Sequence, residues 1–106
     1  MASATTRRKR AVRQETLDRI AHTLKAVAHP LRLRIIELLE DREMCVSDLI
    51  KALGSKPTIT SQQLGLMKDR GVLASRRDGN RVYYRVSNPN VVRVIQCIRD
   101  HCDQQD

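Results

Sequence analysis

Residues 45–71, CVSDLIKALGSKPTITSQQLGLMKDRG, contain two short helical patterns with a turn between them. The first pattern predicts a helix at about residues 46–53 that ends at Gly54, because glycine adopts the left-handed conformation at a helix end at little cost. The second pattern predicts a helix that continues to about Arg70 and stops at Gly71. Two helices joined by a short turn that contains glycine are the signature of a helix-turn-helix.

The second helix of this pair begins with residues that favour a helix start. Ser55 and Thr58 offer N-cap hydroxyls, and Pro57 has the fixed φ angle that suits a first helical turn. Hydroxyl and amide side chains follow, and such groups can donate to and accept from the edges of DNA bases. The candidate base-reading residues are Thr58, Ser61, Gln62 and Gln63, and the predicted packing residues are Leu64, Leu66 and Met67.

After the second helix the sequence changes to an alternating pattern. Residues 72–77 and 81–86 predict two antiparallel strands, because the segment 78–80, DGN, is a strong hairpin turn signal. Arginines flank the hairpin tip, where positive charge would meet phosphate groups. They are Arg76, Arg77 and Arg81. A helix-turn-helix followed by a basic hairpin predicts a winged helix, with its second helix in the major groove and the hairpin on the backbone or in the minor groove.

The flanking segments predict three more helices. The segment 31–40 is too densely apolar for a surface helix and is expected to be central to the core. A helix before it should end near His29-Pro30, since proline disfavours helical geometry in the preceding residue. The first and last helices each carry a narrow apolar stripe, formed by Leu17, Ile20, Leu24 and Val27 and by Val91, Ile95, Ile98 and Cys102.

Neither striped helix is needed to complete a helix-turn-helix. Paired with a second copy of the chain, the two would form a two-fold interface and place two reading helices about 34 to 36 Å apart on a roughly palindromic operator. The alternative is that they pack only against each other within one chain. The predicted fold is mainly α with a β-hairpin wing, in the order α-α-α-α-β-β-α, and is expected to form a homodimer through its first and last helices.

Residues 14–106 are predicted to form this single winged helix-turn-helix domain for DNA binding and dimerisation. Residues 1–13 lack apolar periodicity and are rich in arginine, which predicts a flexible basic N-terminal arm; an organellar or nuclear targeting segment is the alternative. The three cysteines, Cys45, Cys97 and Cys102, show no CxxC spacing, so we expect a reducing cytoplasm. The Ser, His and acidic residues form no recognisable catalytic set, so an enzyme is not expected.

The charge of the chain indicates the kind of partner. Its 106 residues include 20 Lys and Arg against 12 Asp and Glu, a formal net charge of +8. Basic surface gains affinity by releasing counterions from phosphate backbones, so nucleic acid is the first expectation and an anionic membrane surface the second. Tyr83 and Tyr84 are the only aromatic residues, and single-strand readers need more stacking platforms, so double-stranded DNA is favoured. No apolar run approaches the roughly 20 residues of a membrane span.

Four segments together resemble the ArsR/SmtB family of winged-helix repressors, from about Leu24 to the C-terminus. They are LKAVAHPLRLRIIELL, EMCVSDLIKALG, SQQLGLMKDRGVL and RRDGNRVYYRVSNP. The resemblance implies a cytoplasmic, homodimeric bacterial repressor that releases its operator when an inducer binds. The family includes sensors of zinc, cadmium, lead, arsenite, oxidants and persulfides.

The metal sites of that family are incomplete in this sequence. Thiophilic-metal members read E-L-C-V-C-D-L where this chain has Cys45 but Ser47, and one thiolate cannot hold a soft metal tightly. The family's zinc site on the last helix has the form D-x-H, ten residues, H-x-x-E, and it is expected to be absent here. The matching positions are Asn88, Asn90, His101 and Gln104.

The C-terminal segment CIRDHC leaves three interpretations open. Cys45, Cys97 and Cys102 are candidates for a thiol switch. The switch would link cysteines across the dimer, or link Cys45 to the last helix, or join two cysteines through inserted sulfur atoms that span a longer gap. A Cys97–Cys102 disulfide would require unwinding, because helix geometry separates those Cα atoms by about 8.7 Å, beyond the roughly 7 Å limit. Alternatively, arsenite or another soft metal could bind Cys97 and Cys102, with His101 or the partner chain completing the site. The third interpretation treats the two thiols as small interface hydrophobes.

Taken together, these patterns predict a DNA-binding transcriptional repressor that releases its operator on sensing a thiol-reactive or thiophilic inducer. Two other classes remain as alternatives: a nonspecific architectural DNA-binding protein, and a small thiol- or metal-buffering protein. A large ratio of operator to random-sequence affinity would exclude the first, and sequence-specific duplex binding would exclude the second.

Overall fold

The computed structural model describes residues 11–105 of the chain, with side chains through residue 103. The predicted basic arm therefore lies largely outside the described residues, and residues 11–13 are exposed and non-helical. Five helices and three strands follow in the order α1 (Gln14–Val27), α2 (Pro30–Leu38), β1 (Met44–Cys45), α3 (Val46–Leu53), α4 (Pro57–Asp69), β2 (Leu73–Asp78), β3 (Arg81–Val86) and α5 (Pro89–Gln105).

The helix-turn-helix consists of α3 and α4. Gly54 has a φ of 64° and ends α3, as expected for a residue in the left-handed conformation. Pro57 occupies the first turn of α4, but the N-cap residue is Lys56, which makes no side-chain cap bond. The expectation that Ser55 and Thr58 cap this helix is wrong, because Ser55 precedes the N-cap position and Thr58 already lies inside α4.

The wing is part of a three-stranded antiparallel sheet in the order β1-β3-β2. Strands β2 and β3 form the predicted hairpin, and Gly79 in its turn has a φ of 62°. The predicted element order omitted β1, which pairs with β3 in the register Cys45↔Tyr83. A strand of two residues has no periodicity to detect, so only the folded chain reveals it.

The core forms where α2, α3 and α4 meet the base of the wing. As expected, α2 contributes buried residues, Ile35 and Ile36, although Leu33 on the same helix is 39% exposed. His29 stabilises the start of α2, because its Nδ1 accepts a hydrogen bond of 3.1 Å from the backbone N–H of Leu31. The largest fully buried side chains of the described residues include Ile35, Ile36, Leu39, Leu49, Leu64, Met67 and Val72.

Candidate DNA-binding surface

The exposed face of α4 carries three of the four predicted base-reading residues. Thr58, Ser61 and Gln62 are exposed and lie three and four positions apart, so their side chains share one face of the helix. Leu64 and Met67 on the other side are completely buried. The fold therefore presents a polar strip of hydroxyl and amide groups to solvent on a helix that is fixed to the core from behind.

Gln63, the fourth predicted reader, has a different environment. It is half-buried, and its Oε1 accepts a hydrogen bond of 2.7 Å from the Nε of Arg32 in α2. The same guanidinium donates through Nη1 to the carbonyl oxygen of Lys25 in α1, at 3.2 Å. Through Arg32, Gln63 is thus connected to α2 and α1, which lie outside the helix-turn-helix. The position of Gln63 in the sequence does not predict this connection.

A glycine interrupts the exposed side of α4. Gly65 is followed by ordinary helix, and a Cβ atom added to it would meet no heavy atom within 4 Å. Glycine inside a helix costs roughly 0.5 to 1 kcal/mol relative to alanine, and no packing contact here requires its small size. Gly65 lies in a shallow depression on the outer surface of α4, which is lined by Ser61, Gln62, Gly65, Leu66, Asp69 and Arg70.

Arg76 is paired within the protein. Its Nε lies 3.0 Å from both carboxylate oxygens of Glu43, and its Nη2 also bonds that carboxylate. Its Nη1 is 3.8 Å from Asp78, and its guanidinium carbon lies 4.5 Å from the centre of the Tyr83 ring. Hydrogen bonding to Arg76 lowers the pKa of the Glu43 carboxyl, and the reciprocal bond raises the pKa of Arg76.

The other two arginines predicted to contact DNA, Arg77 and Arg81, differ in how far they are engaged. Hydrogen bonding to Tyr83 raises the pKa of Arg81, which nevertheless remains exposed. Arg77 is exposed, and among residues 11–105 its side chain has no hydrogen-bond or ion-pair partner. Because successive strand residues face opposite sides, Arg77 shares a sheet face with Tyr84, which packs on the core, whereas Arg76 faces away. The wing therefore offers one unengaged cation on the side of the helices.

The three cysteines occupy two separate environments. Cys45 is 2% exposed, ends β1 and occupies the N-cap position of α3. Cys97 and Cys102 are exposed on α5, and all three thiols are free. The described part of a single chain contains no group of three His, Cys, Asp or Glu side chains placed to hold a metal ion. A soft-metal site at Cys97, His101 and Cys102 would therefore need ligands from a second chain.

The start of α5 uses one of the family's zinc-ligand positions for local structure. Asn88 accepts a hydrogen bond of 3.1 Å from the backbone N–H of Asn90 through its Oδ1. Ser87, immediately before it, donates to the carbonyl oxygen of Gly71 at 2.9 Å. These bonds fix the connection between the wing and α5.

The apolar stripes of α1 and α5 are largely uncovered in one chain. Leu17, Ile20 and Leu24 of α1 are 44%, 46% and 49% exposed, and Ile98 of α5 is 58% exposed. The two helices border an open groove of about 310 Å³, into which Val94 also faces although the predicted stripe omitted it. Val27 and Val91 of the two stripes are buried, but most of the other stripe residues stay exposed within a single chain. No helix in the described residues is both long and apolar enough to cross a membrane.

Comparison with known proteins agrees with this geometry. The family described as "Bacterial regulatory protein, arsR family" matches residues 29–75. The uncharacterized HTH-type transcriptional regulator Rv0081 of Mycobacterium tuberculosis is 39% identical over 80 residues, which are 74% of this chain and 70% of that protein.

Two solved structures extend the likeness to the whole fold. The homodimeric winged helix-turn-helix DNA-binding domain of Mb0332 from Mycobacterium bovis has a TM-score of 0.77 at 33% identity, covering 86% of this chain and 84% of that one. The antimony-specific transcriptional repressor AntR also has a TM-score of 0.77, at 31% identity, covering 88% of this chain and 87% of that one. The chain therefore belongs to the arsR family of bacterial regulatory proteins, and is a DNA-binding transcriptional regulator and not an enzyme.

Proposed function

We infer that the chain is a homodimeric repressor that binds a roughly palindromic duplex operator and releases it on sensing a thiol-reactive or thiophilic inducer. The observation that carries DNA binding is the exposed polar strip Thr58-Ser61-Gln62 beside a wing whose Arg77 has no partner in the described residues. The strip offers donors and acceptors to base edges, and the arginine offers charge to phosphate. Arg81 and, to a smaller extent, Arg76 add to that charge.

The proposal that the dimer forms through α1 and α5 is supported by their exposed apolar residues. Soluble chains rarely leave such a contiguous patch uncovered, and a second copy related by a two-fold axis would cover it with the same patch. Mb0332, which shares the fold, is a homodimer. The two-fold axis would also place two copies of α4 about one helical turn of DNA apart, which is why the operator should be palindromic.

The proposed class of inducer rests on the exposed thiols of α5. Reactive cysteines need access to solvent, and in the single chain Cys97 and Cys102 are exposed whereas Cys45 is buried. Cys102 belongs to the apolar stripe of the proposed dimer interface, and Cys97 lies outside that stripe. Their positions on the dimer-forming helix mean that modification or metal binding there would change the relation between the two subunits. AntR, a structural neighbour, is antimony-specific, and antimony, like arsenite, is thiophilic. The candidate inducers are reactive sulfur species, oxidants, arsenite and other soft metals.

The first experiment tests DNA recognition. The reduced wild-type protein is used to select duplexes from a randomised library, and fluorescence anisotropy then compares the selected duplex with a random one. We expect a palindromic consensus and an affinity ratio of about 1000 or more. A ratio near one would identify a nonspecific architectural protein, and no duplex binding would leave the thiol- or metal-buffering alternative.

The second experiment tests the signal on the selected duplex. Arsenite or a persulfide donor is added to the reduced complex, and release should be reversed by a chelating dithiol or a reductant. The variant Cys97→Ala/Cys102→Ala should bind DNA normally and fail to release, whereas Cys45→Ala should still respond. If the double variant responds like the wild type, the α5 thiols are packing residues and the signal enters elsewhere.

A further inference from the structure

Arg32 lies at a position that its own helix does not favour. It is the third residue of α2, a helix with no acidic residue in its first turn. A cation near a helix N-terminus opposes the helix dipole, so the benefit of the guanidinium must come from other elements. It comes from Gln63 in α4, at 2.7 Å, and from the carbonyl of Lys25 near the C-terminal end of α1, where a cation is favoured.

The chemistry of the guanidinium fixes the orientation of the Gln63 amide. Guanidinium has donors and no acceptor, so Gln63 must face Arg32 with its oxygen. The NH₂ group of the same amide is then directed away from Arg32. Bidentate readout of adenine needs both the oxygen and the nitrogen of one amide, and here the oxygen is already engaged. Gln62 has no such bond and keeps both groups available.

We propose that Arg32 is a positioning residue that holds Gln63 as a donor-only contact for a hydrogen-bond acceptor of the duplex. The acceptor is a phosphate oxygen or an acceptor on a base edge, such as guanine O6 or N7 or thymine O4. This inference rests on the proposed function, because it requires α4 to face DNA. The bond to Lys25 also anchors the contact to α1, so the dimer-forming helix and the reading helix share one side chain.

A double-mutant cycle on the selected duplex tests the pairing. Gln63→Met keeps the length of the side chain and removes the donor, and Arg32→Lys keeps the charge but cannot reproduce two divergent guanidinium bonds. We expect each change to weaken specific binding by roughly five- to tenfold per half-site, the effect of one hydrogen bond, and therefore by about the square of that factor for the dimer. The double variant should bind the selected duplex no less tightly than the weaker-binding of the two single variants. Arg32→Lys alone should leave the salt dependence of binding unchanged.

Gln62→Met provides the matched control. Gln62 is the neighbouring amide on the same helix, but Arg32 does not bond to it. The losses of binding free energy caused by Gln62→Met and Arg32→Lys should therefore add. Additive effects of Arg32→Lys and Gln63→Met would overturn the proposal, as would wild-type affinity of Gln63→Met. Thermal unfolding of each free variant separates lost stability from lost binding, and Gln63→Met tests the contact even if Arg32→Lys folds poorly.

The same variants identify the acceptor. If Gln63→Met lowers the affinity for selected and random duplexes by the same factor, the acceptor is a phosphate oxygen. If it changes the preference at one base-pair position of each half-site, the acceptor is a base edge. A wild-type protein without any sequence preference would contradict the proposed function itself, whereas specific wild-type binding with an additive cycle contradicts only the role of Arg32.

Discussion

Glu43 and Arg76 form a bidentate ion pair that joins the segment before β1 to the wing, between residues 33 positions apart in the sequence. The guanidinium also stacks over Tyr83, in the strand between them. One arginine of β2 therefore contacts β3 and the residue that precedes β1. This pairing makes Arg76 different from Arg77 and Arg81, although the three flank the hairpin tip and look equivalent in the sequence.

The salt dependence of DNA binding should distinguish the arginines. Arg77→Ala should reduce the slope of log affinity against log salt by about two for the dimer, since each phosphate contact releases about one counterion and the dimer has two wings. Arg76→Ala should reduce it less, because Glu43 already neutralises that charge. Glu43→Gln should steepen the slope by freeing Arg76. Anisotropy titrations at several salt concentrations measure this, and equal slopes for the Arg76 and Arg77 variants would mean that the ion pair opens on DNA.

The Glu43–Arg76 pair should also make stability depend on pH. Because Arg76 lowers the pKa of Glu43 in the folded chain, the pair stabilises the protein fully above the unfolded pKa of about 4.5. That contribution is lost as the pH falls through the lower folded pKa. The difference in unfolding free energy between wild type and Glu43→Gln should thus be constant from pH 6 to 8 and shrink in acid. Denaturant titrations between pH 3 and 8 test this, and a difference that grows in acid would have the wrong sign.

Thr60→Val should stabilise the protein. Thr60 is completely buried in α4, and its Oγ1 has no hydrogen-bond partner among the described residues. Valine has nearly the same shape and removes the uncompensated hydroxyl, so the free energy of unfolding should rise by about 1 kcal/mol. DNA affinity should not change, because this side chain faces the core. A lower denaturation midpoint for Thr60→Val would show that the hydroxyl is satisfied in solution.

Gly65→Ala should separate stability from binding. Alanine should raise the free energy of unfolding by roughly 0.5 to 1 kcal/mol, because the space beside Gly65 is open and the helix gains a better former. If the depression at Gly65 allows close approach of DNA, the same methyl group should weaken specific binding. Thermal unfolding and anisotropy on one preparation give both values. A more stable variant with unchanged affinity would show that DNA does not approach the helix at this point.

The sequence was most informative where structure depends on neighbouring residues. Helix α3 was expected at residues 46–53 and has those bounds, because its apolar pattern and Gly54 are local signals. The hairpin followed in the same way from alternation and a DGN turn. Strand β1 is not predicted from the sequence, because it is only two residues long and its partners in β3 lie almost 40 positions away. Local periodicity contains no such information.

The candidate site shows the same division between local and distant effects. The exposure of Thr58, Ser61 and Gln62 follows from helix period and was predictable. The bonds of Gln63 to Arg32 and of Arg76 to Glu43 join residues more than 30 positions apart. In both cases a side chain assigned to DNA from its type alone turned out to be held by another part of the protein. Residue type therefore predicts which groups are able to bind DNA, and tertiary contacts determine which remain available.

Ile98→Glu should dissociate the dimer. Ile98 is the most exposed of the large apolar residues on α5, so the change leaves the core of one chain intact while placing a charge in the predicted interface. Analytical ultracentrifugation at micromolar concentration should show a monomer, and operator affinity should fall roughly 100-fold or more, because two linked half-site contacts become one. Ile98→Val is the matched control and should remain dimeric. A second test does not depend on whether Ile98→Glu folds. The melting temperature of the wild-type protein should rise with protein concentration, as mass action requires of a dimer. A concentration-independent melting temperature together with a wild-type monomer would place the exposed stripes of α1 and α5 outside any interface between copies.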